Sequence, residues 1–178
     1  MKKATQILFL ICFILFCKVF PQTTGSRNVS VTLPVVTLLD VEPTGSISLN
    51  FAAPVDAGRP VINPSANTSK WINYTSAITS GGLTRRVTAS INQAIPGIDI
   101  KLQAAAASGA GGGALGTPSA QVILSTTPIT IISGIGGAFT GNGANNGHRL
   151  TITLVPNTYT DLSARTNTQV AITYTITE

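Results

Sequence analysis

The feature that most constrains the fold of this chain is a series of short runs in which apolar and polar residues alternate. The last of them is TQVAITYTITE, residues 168–178. Its apolar side chains share one face of an extended chain: Val170, Ile172, Tyr174 and Ile176. A period of two over β-branched residues predicts a β-strand with one buried face. Such a strand carries no side chain that does chemistry, so the pattern favours a structural role.

Similar runs recur along the chain at short spacing. We predict ten strands, at residues 29–33, 35–41, 46–51, 70–76, 86–91, 99–105, 120–125, 129–133, 149–155 and 169–177. Gly, Pro, Asn and Ser fill the breaks, and no segment has a helical period. Many short strands without a helix indicate an all-β sandwich or barrel, and we expect one domain over residues 23–178. A chain of this length has enough other strands to pair with both sides of the final strand, so we expect that strand to be central in its sheet.

Three long breaks separate the predicted strands, and the first of them is predicted to be a surface connection. Residues 53–69 contain three prolines, residues 106–119 are low in complexity and flexible, and residues 133–148 are rich in Gly and Asn. The connection over residues 156–167 is long for a hairpin and suits a crossover between two sheets.

The N-terminal residues predict export. Lys2 and Lys3 precede an uninterrupted apolar run at residues 7–16, which is too short to span a bilayer as a helix. We interpret residues 1–22 as a signal peptide that is cleaved between residues 20 and 26, which would leave a secreted or cell-surface protein without a transmembrane segment. A retained signal anchor is an alternative.

Removing this segment changes the composition. Both cysteines, Cys12 and Cys17, lie inside it, so the exported domain has no disulfide and must be stabilised by burial. Lipidation of Cys17 is a further alternative. Three of the 11 basic residues also lie in this segment, and the remaining basic residues are scattered. Since no basic stripe forms, we do not expect nucleic acid as a partner.

Catalytic and cofactor motifs are sparse. Residues 109–114 match G-x-G-x-x-G/A, but no helix follows to receive a phosphate, so a turn is expected. His148 is the only histidine and would have to serve in any Ser-His-Asp triad. Its candidate acidic partners are Asp40, Asp56, Asp99 and Asp161. We expect an exposed or capping imidazole, no catalytic residues and no cofactor.

The acidic and aromatic residues raise three further points about possible ligands and the core. Asp40 and Glu42 would share a strand face and are the only close acidic pair, so they are the two carboxylates that a glycosidase would use here. Calcium held by loop carbonyls with Asp56 or Asp161 is an alternative. Trp71 and Tyr74 should lie on opposite faces of one strand, and we expect Trp71 to be the core residue.

The segments NVSVTLPVVTLLDVEPTG (residues 28–45) and QVAITYTIT (169–177), with a Gly/Asn-rich middle, resemble small bacterial fimbrial subunits and related cell-surface domains. The resemblance implies an immunoglobulin-like β-sandwich of about 8–10 mainly antiparallel strands. In chaperone-usher pilins an alternating N-terminal extension completes the sheet of a neighbouring subunit. Here Val29, Val31 and Leu33 alternate as such a donor would, and Pro34 could act as a hinge.

We therefore expect an exported bacterial surface protein of structural or adhesive type that is not an enzyme. A self-polymerising, pilin-like subunit is the closest alternative, and a secreted glycan-binding module or hydrolase is the alternative of another class. Self-association or binding to other surface proteins would use strand edges. The residues expected to form such assembly strands are Val29, Val31, Leu33, Val170, Ile172, Tyr174 and Ile176.

Overall fold

The computed structural model describes residues 24–178, which fall into two units. Of the first unit, residues 24–33 are described. They have no regular secondary structure, so the predicted strand at 29–33 is wrong, and the side chains of Val29, Val31 and Leu33 are exposed. The predicted signal peptide lies outside the described residues.

The second unit, Pro34–Glu178, is all-β, as the alternating pattern predicts. Its strands are β1 (Val36–Glu42), β2 (Asn67–Ala77), β3 (Arg85–Ile91), β4 (Ile98–Ala104), β5 (Gly112–Pro118), β6 (Val122–Ile123), β7 (Ile129–Phe139), β8 (His148–Pro156) and β9 (Ile172–Thr177). A single 3-10 turn, Tyr159–Asp161, lies between β8 and β9, and residues 24–178 contain no α-helix.

The nine strands form one antiparallel open sheet. Its main order is β6-β4-β8-β2-β7-β3-β9, with β1 added to β2 and β5 added to β7. Strands β8 and β9 are far apart in this order, so residues 157–171 form a crossover rather than a hairpin. The strand predicted at residues 46–51 does not form; the nearest pairing is an isolated bridge between Ala52 and Ile62.

Strand β5 lies in a stretch that the sequence predicts to be a flexible loop. It pairs with β7 along Gly112–Pro118. Gly113 has φ +87°, and a Cβ added there would lie 2.2 Å from the carbonyl oxygen of Gly137. The glycines therefore allow a close approach of two backbones, and low complexity here reflects close strand packing rather than flexibility.

The core is one cluster of buried apolar side chains from five strands and the segment after β6. Its members are Ile72, Tyr74, Val87, Ala89, Ile91, Ile100, Leu102, Ala104, Leu124, Ile131, Ile132, Ile135, Ala138, Leu150 and Ile152. Tyr74 is in this core, whereas Trp71 is half-buried, so the expectation for the two rings is reversed. The reason is phase: Ile72 and Tyr74 share the inward face of β2, and Trp71 has the opposite parity.

Candidate functional site

The candidate site is the free edge at β9 and β1, two of the four strands within residues 24–178 that pair on one side only; the other two are β5 and β6. Among the described strands β9 pairs only with β3, and β1 pairs only with β2. The expectation that the final strand is central is therefore wrong, because residues 24–178 supply it with only one neighbour. An unpaired strand edge presents a row of free backbone N–H and C=O groups.

The free edges of β9 and β1 lie end to end. Strand β5 occupies one edge of β7, so β2 and β3 must share the other edge. Along that edge Phe139 and Ala138 oppose the end of β2, and Ile135 opposes Arg85 at the start of β3. Strand β1 pairs with the side of β2 that faces away from β7, and β9 pairs with the corresponding side of β3. The end of β9 therefore lies next to the start of β1. We call the two free edges together the open edge.

Arg85 lies where the end of β9 meets the start of β1, a position that we call the corner of the open edge. Its Nη1 donates hydrogen bonds to Val36 O at 2.5 Å and to Ser76 Oγ at 2.9 Å. Its Nη2 lies 4.0 Å from Glu178 Oε1, which is an ion pair longer than a hydrogen bond. The side chain is only 3% exposed. The start of β1 and the residue that follows β9 therefore meet at one buried guanidinium.

The inward face of the open edge is apolar and only half-buried. Ile172, Tyr174 and Ile176 of β9 pack against the core but keep part of their surface in solvent, as does Val170 just before the strand. Desolvation by burial raises the pKa of the Tyr174 hydroxyl above its ordinary value. The outward hydroxyl side chains between them are exposed: Thr173, Thr175 and Thr177. Four of the sequence-predicted assembly residues are thus on one face of one edge.

The backbone direction of β9 shows which groups remain free. Ala171 O accepts a hydrogen bond from Asn92 N, at the head of the ladder with β3. Successive residues of an antiparallel strand direct their N–H and C=O groups to opposite sides. Ile172, Tyr174 and Ile176 therefore direct both groups to the open edge, in phase with their apolar side chains.

His148, the only histidine in the sequence, lies in the buried core and not at the surface. His148 is 0% exposed, so the expectation of an exposed or capping imidazole is wrong. Its Nδ1 lies 2.8 Å from Ala105 O, and its Nε2 lies 2.9 Å from Tyr74 Oη and 3.1 Å from Leu115 O. Tyr74 Oη also donates to Leu115 O, and the two rings are stacked.

This arrangement fastens β8 to β2 and β5 rather than forming a catalytic triad. The Nδ1 atom of His148 faces a main-chain carbonyl where a triad has a carboxylate. The acidic candidates are engaged elsewhere or exposed: Asp40 Oδ1 accepts from Val41 N, and Asp99 Oδ1 accepts from Asn157 Nδ2. The geometry therefore gives His148 a structural role.

Residues 24–178 contain no group of three or more His, Cys, Asp or Glu side chains placed to bind one metal ion. The described part of the chain also has no helix of the length and hydropathy needed to cross a bilayer. Asp40 and Glu42 share a face of β1, as the alternation predicts, beside Asn73 and Trp71 of β2.

Comparison with known proteins does not assign the chain: it matches no protein-family model, no curated protein and no solved structure.

Sequence reasoning missed Arg85, although a signal for it exists. In TRRVTAS, residues 84–90, Arg85 has the same parity as Val87 and Ala89, which alternate with polar residues. That parity places the first arginine on the buried face, and the structure has it there. A buried arginine at a strand start needs acceptors, which here come from β1 and β2.

Proposed function

We propose that this protein is an exported structural component of a bacterial surface whose copies assemble by strand addition. The acceptor is the open edge, and the donor is the exposed segment Val29–Leu33 of a second copy. The observation that carries the proposal is that β9 combines a free edge with half-buried apolar residues on its inward face.

A free, apolar edge needs a partner because soluble proteins protect such edges. Lys residues, prolines, bulges or inward charges usually block strand addition. Strand β9 has none of these devices between Ile172 and Thr177. A strand added there would bond to the free N–H and C=O groups and cover the half-buried side chains, which is β-augmentation.

The donor segment has the composition that the edge requires. Val29, Val31 and Leu33 alternate with Ser30 and Thr32, so one face is apolar and the other carries hydroxyl groups. Those three apolar side chains are among the most exposed in the described chain. When such a segment adds to a sheet, its apolar side chains are buried. Full burial of each large apolar side chain contributes about 1.5–3 kcal/mol to the free energy of association.

The proposal includes an immunoglobulin-like sandwich as the fold. Strands β4 and β7 approach each other although β8 and β2 separate them in the sheet, and β1 approaches β9 without pairing. The single core receives side chains from both ends of the sheet. These contacts support a sheet that folds over its own core and leaves the open edge along one side.

The experiment is to measure the size distribution of the protein against concentration for the wild type and for Val31→Asp. A carboxylate at this position would be buried without a partner in the assembly, which costs several kcal/mol. We expect the wild type to associate and Val31→Asp to require at least about 100-fold more protein for the same association.

Val55→Asp is the matched control, since it makes the same change at a valine that is 94% exposed in a loop. It should assemble as the wild type does. A wild type that stays monomeric at all concentrations, or equal association of both Asp variants, would contradict strand addition through Val29–Leu33.

A further inference from the structure

The chemistry of the two segments fixes how they would pair. In an antiparallel pair, two residues that face each other have position numbers with a constant sum, and their side chains lie on the same face. We infer that Arg27 of the added segment faces Glu178 of the acceptor copy and that this ion pair selects one antiparallel register. This inference rests on the proposed strand addition.

In that register every facing pair is alike or complementary. Val29 faces Ile176, Val31 faces Tyr174, and Leu33 faces Ile172. The hydroxyl residues also match, because Ser30 faces Thr175 and Thr32 faces Thr173. The apolar pairs lie on the half-buried inward face of β9, and the hydroxyl pairs lie on its exposed face.

A shift of two residues in either direction loses the match. One shift sets Arg27 against Ile176, and the other sets Val29 against Glu178. Each leaves a charge beside an apolar side chain and separates Arg27 from Glu178, which are the only charged residues of residues 24–33 and 168–178. The apolar pattern alone permits several registers, whereas the charge pair permits one.

Glu178 is available for this role. Its side chain is 56% exposed, and its distance of 4.0 Å from Arg85 Nη2 leaves its oxygens free for a closer partner. The backbone of β9 also suits this register. Ile172, Tyr174 and Ile176, which face apolar residues of the added segment, direct their N–H and C=O groups toward that segment. Pro34, which lacks an N–H, falls beyond the last of the matched pairs.

The segment of the same chain cannot reach this register. Val36 and Glu178 both meet Arg85, so the start of β1 lies at the end of β9. Leu33 facing Ile172 would be about 20 Å away from that corner, at about 3.3 Å per residue. Three residue steps from Leu33 to Val36 span at most about 11 Å. The register therefore requires a second copy.

Disulfide trapping tests the register. In the full chain with Cys12→Ser and Cys17→Ser, Ser30→Cys is mixed with Thr175→Cys under mild oxidation, and in parallel with Thr173→Cys. Facing residues have Cα atoms about 4.5–5.5 Å apart, which suits a disulfide, whereas the diagonal pair is about 7–8 Å apart. We expect a covalent heterodimer from Ser30→Cys with Thr175→Cys, in at least about fivefold excess over the Thr173→Cys mixture.

Charge reversal tests the ion pair. Arg27→Glu and Glu178→Arg should each raise the concentration for half-assembly about 3- to 10-fold. The double variant should recover most of this loss, but not the ion pair of Glu178 with Arg85. Equal trapping at 173 and 175, or no effect of either reversal, overturns the register while the Val31→Asp result decides strand addition independently. A wild type that never associates overturns both.

Discussion

Tyr74 Oη lies 2.9 Å from His148 Nε2, and this contact joins β2 to the first residue of β8 inside the core. Both rings also reach Leu115 O of β5, and His148 Nδ1 reaches Ala105 O. Three strands and one loop are thus fastened at one buried polar cluster.

Tyr74→Phe should destabilise the protein while leaving the fold intact. The variant removes the hydroxyl that bonds to Leu115 O and His148, and a buried acceptor left unsatisfied costs about 1–3 kcal/mol. Chemical denaturation should show that loss in the free energy of unfolding. Tyr159→Phe is a suitable control, because Tyr159 Oη accepts from Val61 N at the surface; an equal loss in both variants would contradict the role of the core cluster.

Stability should fall in alkaline solution above about pH 10. Desolvation raises the pKa of Tyr74 and of Tyr174 above the ordinary value near 10. In that range the unfolded chain loses these protons while the folded protein keeps them, so the free energy of unfolding decreases as the pH rises. Below pH 9 the two groups are protonated in both states and contribute no pH dependence. Tyr174→Phe should reduce the alkaline slope; an unchanged slope would count against its burial.

Arg85→Gln should loosen β1. The variant removes the charged donor to Val36 O and Ser76 Oγ, and loss of such buried bonds costs about 2–4 kcal/mol. Arg86→Gln is the matched control, because the neighbouring arginine is exposed. Limited proteolysis between residues 34 and 42 should accelerate for Arg85→Gln only. Equal protection in both variants would show that Arg85 does not hold the corner.

Gly113→Ala should disrupt β5. The added Cβ would overlap Gly137 O, and φ of +87° strains any L-residue. Gly137→Ala is the matched control on the facing strand, because a Cβ there has no atom within 4 Å. Thermal unfolding should show a clear loss for Gly113→Ala and little change for Gly137→Ala. Comparable melting of the two variants would mean that β5 does not need this glycine.

The alternation of apolar and polar residues located β2, β3, β4 and β8 to within three residues at each end. These strands have one buried face, so their period of two is a direct record of burial. The same reasoning failed for β5, where strand formation depends on backbone contact between glycines and leaves no side-chain pattern.

Properties set by the whole topology could not be predicted from local sequence. The position of β9 at an edge depends on which strands neighbour β3, and the choice of Tyr74 over Trp71 for the core depends on the phase of β2. The candidate site also combines features that a local pattern predicts with features that it cannot predict. Ile172, Tyr174 and Ile176 were predicted from their pattern, whereas the corner at Arg85 brings together residues 36, 76, 85 and 178, which no short window contains.

Hydrogen exchange at β9 tests the central claim most directly. The amides of Ile172, Tyr174 and Ile176 point to the open edge, so an added strand must protect them. We predict markedly slower exchange of these three amides in the assembled wild type than in Val31→Asp at equal concentration, with little difference at β4. Equal exchange at the three amides in both proteins would contradict strand addition at the open edge.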